Sequence, residues 1–284
     1  MDSFPTCQIK RLFVYCLLLG YACNIHSIRL YILEKELMMH QKEIEQTLVL
    51  IKPDALKNSV TGFLLSQLSE FHTGSRFAAA KIVHVNRMLA EEHYAAHRGK
   101  AFYPSLIEYI MGHAHYPDEP WKRRVIAIVY RGPRVLQKIR DVAGPTNPHV
   151  ARVEKPGCIR ALGTVVPIKD EEGLVISERM DNLIHASATH AEAEREIKLW
   201  FKPCDIPPLM RSYPTDVCEE HYYLRQGELC KTYEPDSVCL FAPGDVVWRS
   251  DLEILRLWSR NAPDAPNLSL VTAKYLINRK STEC

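Results

Sequence analysis

The hydrophobic pattern of the chain predicts four strands, all after residue 45. Short apolar runs mark them at 47–51, 77–85, 125–130 and 182–186. Runs of this length, bounded by proline, glycine or polar residues, are typical of strands in a packed core. The first run stops at Pro53, which has no N–H to offer a neighbouring strand.

Segments with helical spacing lie between these runs. The first has an apolar face made of Val60, Phe63, Leu64, Leu68 and Phe71. Ser59 is expected to cap this helix at its start, and Gly74 to end it. Further helices are predicted within 88–99 and 103–112, both closed by glycine, and over 134–144.

A final helix comes after the fourth strand. Thr189 and Glu192 have the spacing of a capping box, in which a hydroxyl and a carboxylate bind the first backbone N–H groups of a helix. The inward face of this helix is predicted to consist of Ala193, Ile197, Trp200 and Phe201. Glu194 and Lys198 are spaced for an ion pair on its surface.

The order of elements is strand, helix, strand, two helices, strand, helix, long loop, strand and helix. This order predicts an α+β domain of the ferredoxin-like βαββαβ kind, with an antiparallel four-stranded sheet covered by helices on one face. The domain is predicted over 46–203, with an irregular stretch at about 144–180. Residues 204–284 are predicted to be a C-terminal extension of unknown role, with a strand at 237–241 and a helix at 250–260.

Residues 1–38 differ in pattern from the rest of the chain and are predicted to be a leader or an extra N-terminal segment. An apolar run over 12–23 resembles the core of a signal peptide and is short for a membrane span. A translation start at Met38 or Met39 is the alternative interpretation. We expect no stable membrane insertion and a cytoplasmic location.

Composition and cysteine spacing indicate an ordinary folded protein. Apolar residues make up 46% and charged residues 25%, and a net charge of +2 gives no reason to expect nucleic acid as a partner. The nine cysteines contain no C-x-x-C pair, which favours free thiols over a zinc site, including those between 204 and 239. His113 and His115 lie in a polar loop and are expected to be exposed.

Cationic and polar side chains lie at the ends of the predicted strands and helices. They are Lys52, Tyr94, Arg140, Thr146, Arg160, Asn182 and His185. A lysine, two arginines and hydroxyl groups can bind a triphosphate by charge-assisted hydrogen bonds. Neutral imidazole can accept a phosphoryl group, so the histidine is a candidate nucleophile.

Several separated motifs, in this order, resemble the nucleoside diphosphate kinase family. They are IKPDAL, TNP, KPGCIR and NLIHAS with EAEREIKLWF after it. The segment EEHYAAHRGKAFYPSLIEYI resembles the nucleotide-clasping helix pair of that family. The resemblance covers residues 46 to 203, and it implies a ping-pong enzyme that moves the γ-phosphate of ATP to a nucleoside diphosphate through a phosphohistidine.

The resemblance also implies a role for each motif residue. His185 is the phosphorylated nucleophile, Glu196 orients its ring, and Lys52 and Asn182 contact the phosphate and sugar end. The phosphates are held by Tyr94, Arg140, Thr146 and Arg160. Phe102 stacks on the base, and Mg²⁺ is bound through the nucleotide phosphates with no metal ligand from the protein. A homo-oligomer is implied as well.

The chain departs from the pattern of that family near the histidine and in two connections. Ala186 and Ala188 stand where a glycine and an acidic residue are usual. The loop 113–124 is expanded, and KDEEGLVISERMD lengthens the connection that ends at Asn182. The acidic residues of this insertion are unfavourable near a triphosphate unless they point away from it.

Two other functions remain open at this point. A non-catalytic nucleotide-binding or regulatory module on the same fold would keep the motifs without transferring phosphate. An RNA-binding domain with the same strand order needs exposed aromatic residues on its central strands, and the runs at 77–85 and 125–130 lack that pattern. We therefore expect ATP and nucleoside diphosphates as ligands, and no nucleic acid.

Overall fold

The structure is a computed structural model that describes residues 44–277. The predicted leader at 1–38 lies outside the described residues. Between residues 44 and 277, no helix is long and apolar enough to cross a membrane.

The strands of the first part of the chain are β1 (Ile44–Ile51), β2 (Arg76–Val83), β3 (Val125–Pro133), β4 (Thr164–Lys169), β5 (Val175–Asp181) and β6 (Ile184–Ala186). The helices are α1 (Pro53–Lys57), α2 (Thr61–Gln67), α3 (Glu70–Thr73), α4 (Arg87–His93), α5 (Tyr103–Ile110), α6 (Val135–Ala143), α7 (Pro148–Glu154) and α8 (His190–Trp200). The central sheet has four strands in the order β2-β3-β1-β6, and the pairs β2–β3 and β1–β6 are antiparallel. This confirms the predicted α+β fold of the ferredoxin-like kind.

The central strands β1 and β3 are buried on both faces, so the prediction of one covered face was wrong. In β1, Leu48 and Leu50 belong to one core cluster, while Val49 and Ile51 belong to another. Successive side chains of a strand point to opposite faces, so each cluster lies on its own side of the sheet. The uninterrupted apolar run of this strand, without polar alternation, is the signature of burial on both faces.

The first predicted helix is broken into α2 and α3. Ser59 does not cap it, because this residue has a φ of +57° and Val60 takes the cap position without a side-chain hydrogen bond. Phe71, expected on the inward face, is 92% exposed. The predicted end is confirmed, since α3 stops at Gly74 in the left-handed conformation.

The stretch predicted as irregular at 144–180 contains regular structure. It holds α7, a 3₁₀ turn at Ile159–Leu162 and an antiparallel hairpin of β4 and β5. The inserted acidic residues form the turn of this hairpin, where the Asp170 carboxylate accepts hydrogen bonds from the backbone N–H groups of Glu172 and Leu174. The turn lies roughly 20 Å from the base of the hairpin, because each strand residue adds about 3.3 Å of length.

The C-terminal extension has its own strands and helices. They are β7 (Thr215–Val217), β8 (Tyr222–Arg225), β9 (Glu228–Cys230), β10 (Val238–Phe241), β11 (Val246–Trp248), α9 (Arg249–Ser259) and α10 (Ser269–Thr272). The predicted strand and helix correspond to β10 and α9. Tyr222, Phe241, Leu252 and Leu255 are among the buried residues that form a core of its own. The described cysteines, at 158, 204, 218, 230 and 239, are free thiols.

The extension is also joined to the core of the first part of the chain. Trp248 is fully buried in the same cluster as Trp200 and Phe201, and its indole N–H donates to the Phe201 carbonyl at 2.7 Å. Ile206 and Ala273 belong to that cluster too. The described residues from Glu45 onward form one compact unit. The division into 46–203 and 204–284 therefore stays a prediction from the sequence pattern.

We expect Trp248→Ala to lower the free energy of unfolding by about 3–5 kcal/mol, because a large side chain is lost from a filled core. Trp258 is the matched control from the same extension, since it is 39% exposed. Trp258→Ala should cost about 1 kcal/mol or less. Urea unfolding at neutral pH measures both. Equal costs for the two variants would contradict a shared core.

Candidate active site

His185 is held against a buried carboxylate. The residue lies on β6, opposite Leu50 of β1, and its Nε2 is 2.8 Å from Oε2 of Glu196 on α8. Glu196 is only 3% exposed, although a glutamate in this charged helix could equally have faced solvent. The Ser187 hydroxyl donates to the same carboxylate oxygen at 2.7 Å. Strand pairing and helix docking together place the imidazole.

The charge of Glu196 determines which nitrogen of His185 carries the proton. Burial by itself raises the pKa of this carboxyl, but the imidazoles of His185 and His93 and the hydrogen bonds it accepts lower the pKa to about 2. The group is therefore ionised at neutral pH and can only accept hydrogen bonds. Nε2 of His185 must then be the donor, which leaves Nδ1 of the neutral ring with a free lone pair.

His93 is a third member of this group, and it was not among the site residues predicted from the sequence. It ends α4 with its side chain fully buried, and its ring centroid lies 4.5 Å from that of His185. The Trp200 indole N–H donates to its Nδ1 at 3.2 Å. Burial, and after it the charge of His185, lowers the pKa of His93 well below its ordinary value. The ring is therefore neutral.

A sequence signal for His93 existed. It lies four residues after Leu89 and three after Ala90, both fully buried in α4. That spacing places the histidine on the inward face of the helix. His93, His185 and Glu196 have ligand atoms within 4.8 Å of one another, near enough for a metal ion. In the described structure, His185 and Glu196 are hydrogen-bonded to each other and His93 Nδ1 accepts from Trp200, while His93 Nε2 has no hydrogen-bond partner.

Lys52 lies in a chain of hydrogen bonds just after β1. Its Nζ donates to the Asn182 side-chain oxygen at 2.7 Å, and the Asn182 amide donates to the Thr146 carbonyl at 2.8 Å. Burial lowers the pKa of Lys52 to about 8, with a further lowering by Arg160, against the opposing effect of Asp54. Three residues predicted for the phosphate end are thus brought together.

Arg160 and Arg140 add positive charge beside this chain. Arg160 is buried, and its guanidinium donates to the carbonyls of Gly144 and Ile184 at 2.9 and 3.3 Å. Burial and the neighbouring charge of Arg140 lower the pKa of Arg160 to about 10. Arg140 itself is exposed at the end of α6. A buried guanidinium next to a second cation is an environment that favours a bound anion.

Gly144 is required where α6 meets this site. It has a φ of +82°, and a Cβ at this position would lie 2.1 Å from Sγ of Cys158. Any side chain would both strain the backbone and displace the loop that carries Arg160.

Tyr94 and Phe102 lie along the helix pair that begins with α4. Tyr94 is buried at the C-terminal cap of α4, and its hydroxyl has no hydrogen-bond partner within residues 44–277. Burial raises the pKa of this phenol, and its ring lies 4.5 Å from that of His93. Phe102 is half-buried at the start of α5, with its ring 5.6 Å from that of His97. The Thr146 side chain is exposed.

Comparison with known proteins identifies the family of this chain. The model of the family described as "Nucleoside diphosphate kinase" matches residues 45–206. The chain belongs to the nucleoside diphosphate kinase family. The predicted family, and with it an enzyme that transfers phosphate between nucleotides, are confirmed.

Individual relatives agree with the family match. A nucleoside diphosphate kinase from Pyrococcus furiosus is 37% identical over 164 residues, which are 58% of this chain and 87% of that protein. One from Thermus thermophilus is 36% identical over 57% of this chain and 99% of its own length. The solved structure of the Aquifex aeolicus nucleoside diphosphate kinase is 27% identical, covers 58% of this chain and 99% of its own, and has a TM-score of 0.46.

The two expanded connections of this nucleoside diphosphate kinase meet beside the site. His115 was expected to be exposed, and this was wrong, because it is buried with Nε2 2.8 Å from the Asp181 carboxylate. Arg179 donates to the same carboxylate at 2.6 and 3.1 Å. Asp181 ends the inserted hairpin and immediately precedes Asn182. Both insertions therefore anchor the residue that binds Lys52.

The substitutions beside His185 are accommodated locally. Ala186 is buried in β6, and it is not among the described residues with positive φ. At Ala188 the backbone N–H donates to the Glu192 carboxylate at 2.9 Å. The Thr189 hydroxyl accepts from the Glu192 N–H at 3.2 Å, as predicted. In a capping box the Glu192 carboxylate would accept from the Thr189 N–H. Here it accepts from the N–H one residue earlier, at Ala188.

Proposed function

We propose that this nucleoside diphosphate kinase works by a ping-pong reaction through a phosphohistidine at His185. The observation that carries the proposal is the hydrogen bond between its Nε2 and the ionised carboxylate of Glu196, 2.8 Å away. This bond turns Nδ1 outward as the basic nitrogen. The fixed tautomer is available without a prior proton transfer, since the proton already sits on the other nitrogen.

In the first half of the reaction, the Nδ1 lone pair forms a bond to the γ-phosphorus of a nucleoside triphosphate. The bond from that phosphorus to the bridging oxygen breaks, and its electron pair leaves with the nucleoside diphosphate. The phosphorylated ring keeps its proton on Nε2 and becomes positively charged. The Glu196 carboxylate stabilises that charge, because it is ionised and buried beside the ring. The second half reverses these steps with a different nucleoside diphosphate.

The cationic residues supply the nucleotide phosphates with charge and position. Burial lowers the pKa values of Lys52 and Arg160, and a neighbouring arginine lowers each further, which disfavours their positive charges in the unbound protein although Asp54 opposes the effect at Lys52. A bound polyphosphate would compensate them. In this proposal Tyr94, Arg140, Thr146 and Asn182 also contact the phosphates and sugar, and Phe102 stacks on the base without reading its identity.

We propose that Mg²⁺ accompanies the nucleotide and is held by the phosphates. Asp181 binds Arg179 and His115, and Asp54 accepts from the Leu183 N–H through one oxygen, which leaves a single buried carboxylate oxygen of this pair without a partner among the described residues. These residues fit an ion bound through phosphate oxygens better than one in a protein cage. When bound, Mg²⁺ neutralises part of the charge on the phosphates, and the protein residues orient them.

A homo-oligomer and a cytoplasmic location are further proposals. Strand β2 forms one edge of the described sheet, and it exposes Phe77 and Ile82. A long edge strand with apolar side chains is suited to cover by a second copy. Sedimentation equilibrium tests the oligomer, which a monomer at micromolar concentration would contradict. Cell fractionation tests the location.

Phosphorylation from γ-labelled ATP tests the nucleophile. We expect acid-labile, base-stable label on the wild-type protein and none on His185→Ala, because Nδ1 of this ring is the proposed nucleophile and the Glu196 carboxylate holds the proton on its other nitrogen. His190→Ala is the matched control, from the same stretch but with a side chain that is 73% exposed. It should label as the wild type does. Persistent label in His185→Ala would refute the assignment, and transfer from ATP to GDP at the background rate would favour a non-catalytic module.

The pH dependence of kcat/KM tests Lys52. Its pKa is lowered to about 8 by burial, so the ammonium is present below that pH and lost above it. We expect kcat/KM to fall about tenfold per pH unit above about pH 8, because the free enzyme then lacks this phosphate contact. In Lys52→Arg the charge persists at every accessible pH. That variant should be less active but should show no break near pH 8, and an unchanged break would contradict the role of Lys52.

A further inference from the structure

The C-terminal extension binds helix α4 at its start. Asn86 caps this helix, since its side-chain oxygen accepts from the Leu89 N–H at 2.7 Å. The other side of the same amide donates to the Ala273 carbonyl at 3.3 Å. In the first turn of the helix, Sδ of Met88 lies 3.3 Å from the Thr272 hydroxyl. The extension therefore contacts the cap and the first turn of α4.

The extension also binds α4 at its end, through Glu92. This glutamate is only 5% exposed. Its Oε1 accepts from the Asn267 amide at 2.7 Å, from the Ser269 hydroxyl at 2.6 Å and from Arg98 at 3.0 Å. A buried carboxylate without such donors is strongly unfavourable, so these contacts fix where Glu92 can lie.

The position of Glu92 is tied to that of the site. The next residues are His93, whose ring packs against His185, and Tyr94, whose ring centroid lies 4.5 Å from that of His93. From α8, Arg195 donates to the carbonyls of Glu92 and His93 at 3.0 and 3.2 Å. Helix α4 has only seven residues, and so short a helix depends on its surroundings for its stability. Contacts at both ends therefore decide its placement.

We propose that Asn267 and Ser269 are positioning residues for the nucleotide site, and that the segment 267–273 clamps α4 in place. This inference rests on the proposed function, in which Tyr94 and Phe102 after α4 hold the nucleotide. The catalytic pair His185 and Glu196 lies on β6 and α8, whereas the two positioning residues donate their hydrogen bonds to Glu92 on α4. The clamp therefore acts on nucleotide binding and leaves the chemical step to the other elements.

The test compares the full-length Asn267→Ala/Ser269→Ala protein with the wild type. We expect KM for the nucleoside diphosphate to rise about tenfold and kcat to stay within about twofold, the size of effect expected from losing hydrogen bonds to a charged group. Amide hydrogen exchange in 87–94 should become faster, while exchange in α6 should not change. Ser269→Thr, made with Asn267 intact, keeps the hydroxyl and should leave KM near the wild-type value.

Ser237→Ala is the matched control within the extension. Its hydroxyl accepts from the Glu234 N–H at 3.3 Å in a turn of the extension, and this variant should leave KM and the exchange of α4 unchanged. The clamp is refuted if exchange in 87–94 stays at the wild-type rate, if exchange rises equally in α6, or if kcat falls while KM does not. A wild-type protein without phosphotransfer would refute the proposed function instead, and the exchange experiment would still decide whether the clamp exists.

Discussion

The bond between the His185 imidazole and the buried Glu196 carboxylate is the interaction on which the site depends. It joins two separate elements of the fold, an edge strand of the sheet and the last helix of the kinase domain. Strand pairing fixes one partner, because His185 lies opposite Leu50 in the sheet. Packing fixes the other, because Ile197 and Trp200 bury the same helix face. An ionised carboxylate in this setting needs donors, and the histidine and Ser187 supply them.

Buried positive charge is the second constraint. Lys52 and Arg160 are both buried, and both have lowered pKa values, so each is held in a state that is less favourable than in water. Such an arrangement lowers the stability of the unbound protein, and it makes the binding free energy of a triphosphate more favourable. The extension adds a further constraint, since it is hydrogen-bonded to both ends of the short helix α4, which leads into the segment proposed to bind the nucleotide.

The sequence predicted the parts of the fold that local pattern controls. The four strands and the helix that carries Glu196 are visible as apolar runs and periodicity, and Gly74 and Gly144 mark helix ends. The predicted end at Gly99 was wrong, because that helix already ends at His93. The unbroken apolar run of β1 also indicates burial on both faces. The order of elements alone, however, favoured a sheet covered by helices on one face. The break after α2 is not visible, because Phe63 and Phe71 have helical spacing and yet are exposed.

Features that depend on contacts between distant residues could not be predicted. The inserted segment 169–181 has turn residues and charges but no strong alternation, so its pattern favours a loop over the hairpin that it forms. The burial of His115 depends on Asp181, 66 positions away, and the role of Asn267 depends on Glu92, 175 positions away. The motif residues could be selected from the sequence and their roles stay predictions, whereas His93 was missed because it contacts His185 only through packing.

The most direct measurement is the position of the phosphoryl group on the histidine ring. The phosphorylated protein can be digested under alkaline conditions, and the phosphohistidine compared with standards of the two isomers. The hydrogen bond from Nε2 to Glu196 predicts phosphate on Nδ1 of His185. Phosphate on Nε2, or on another residue, would contradict the account, since the Glu196 carboxylate would then not be setting the tautomer.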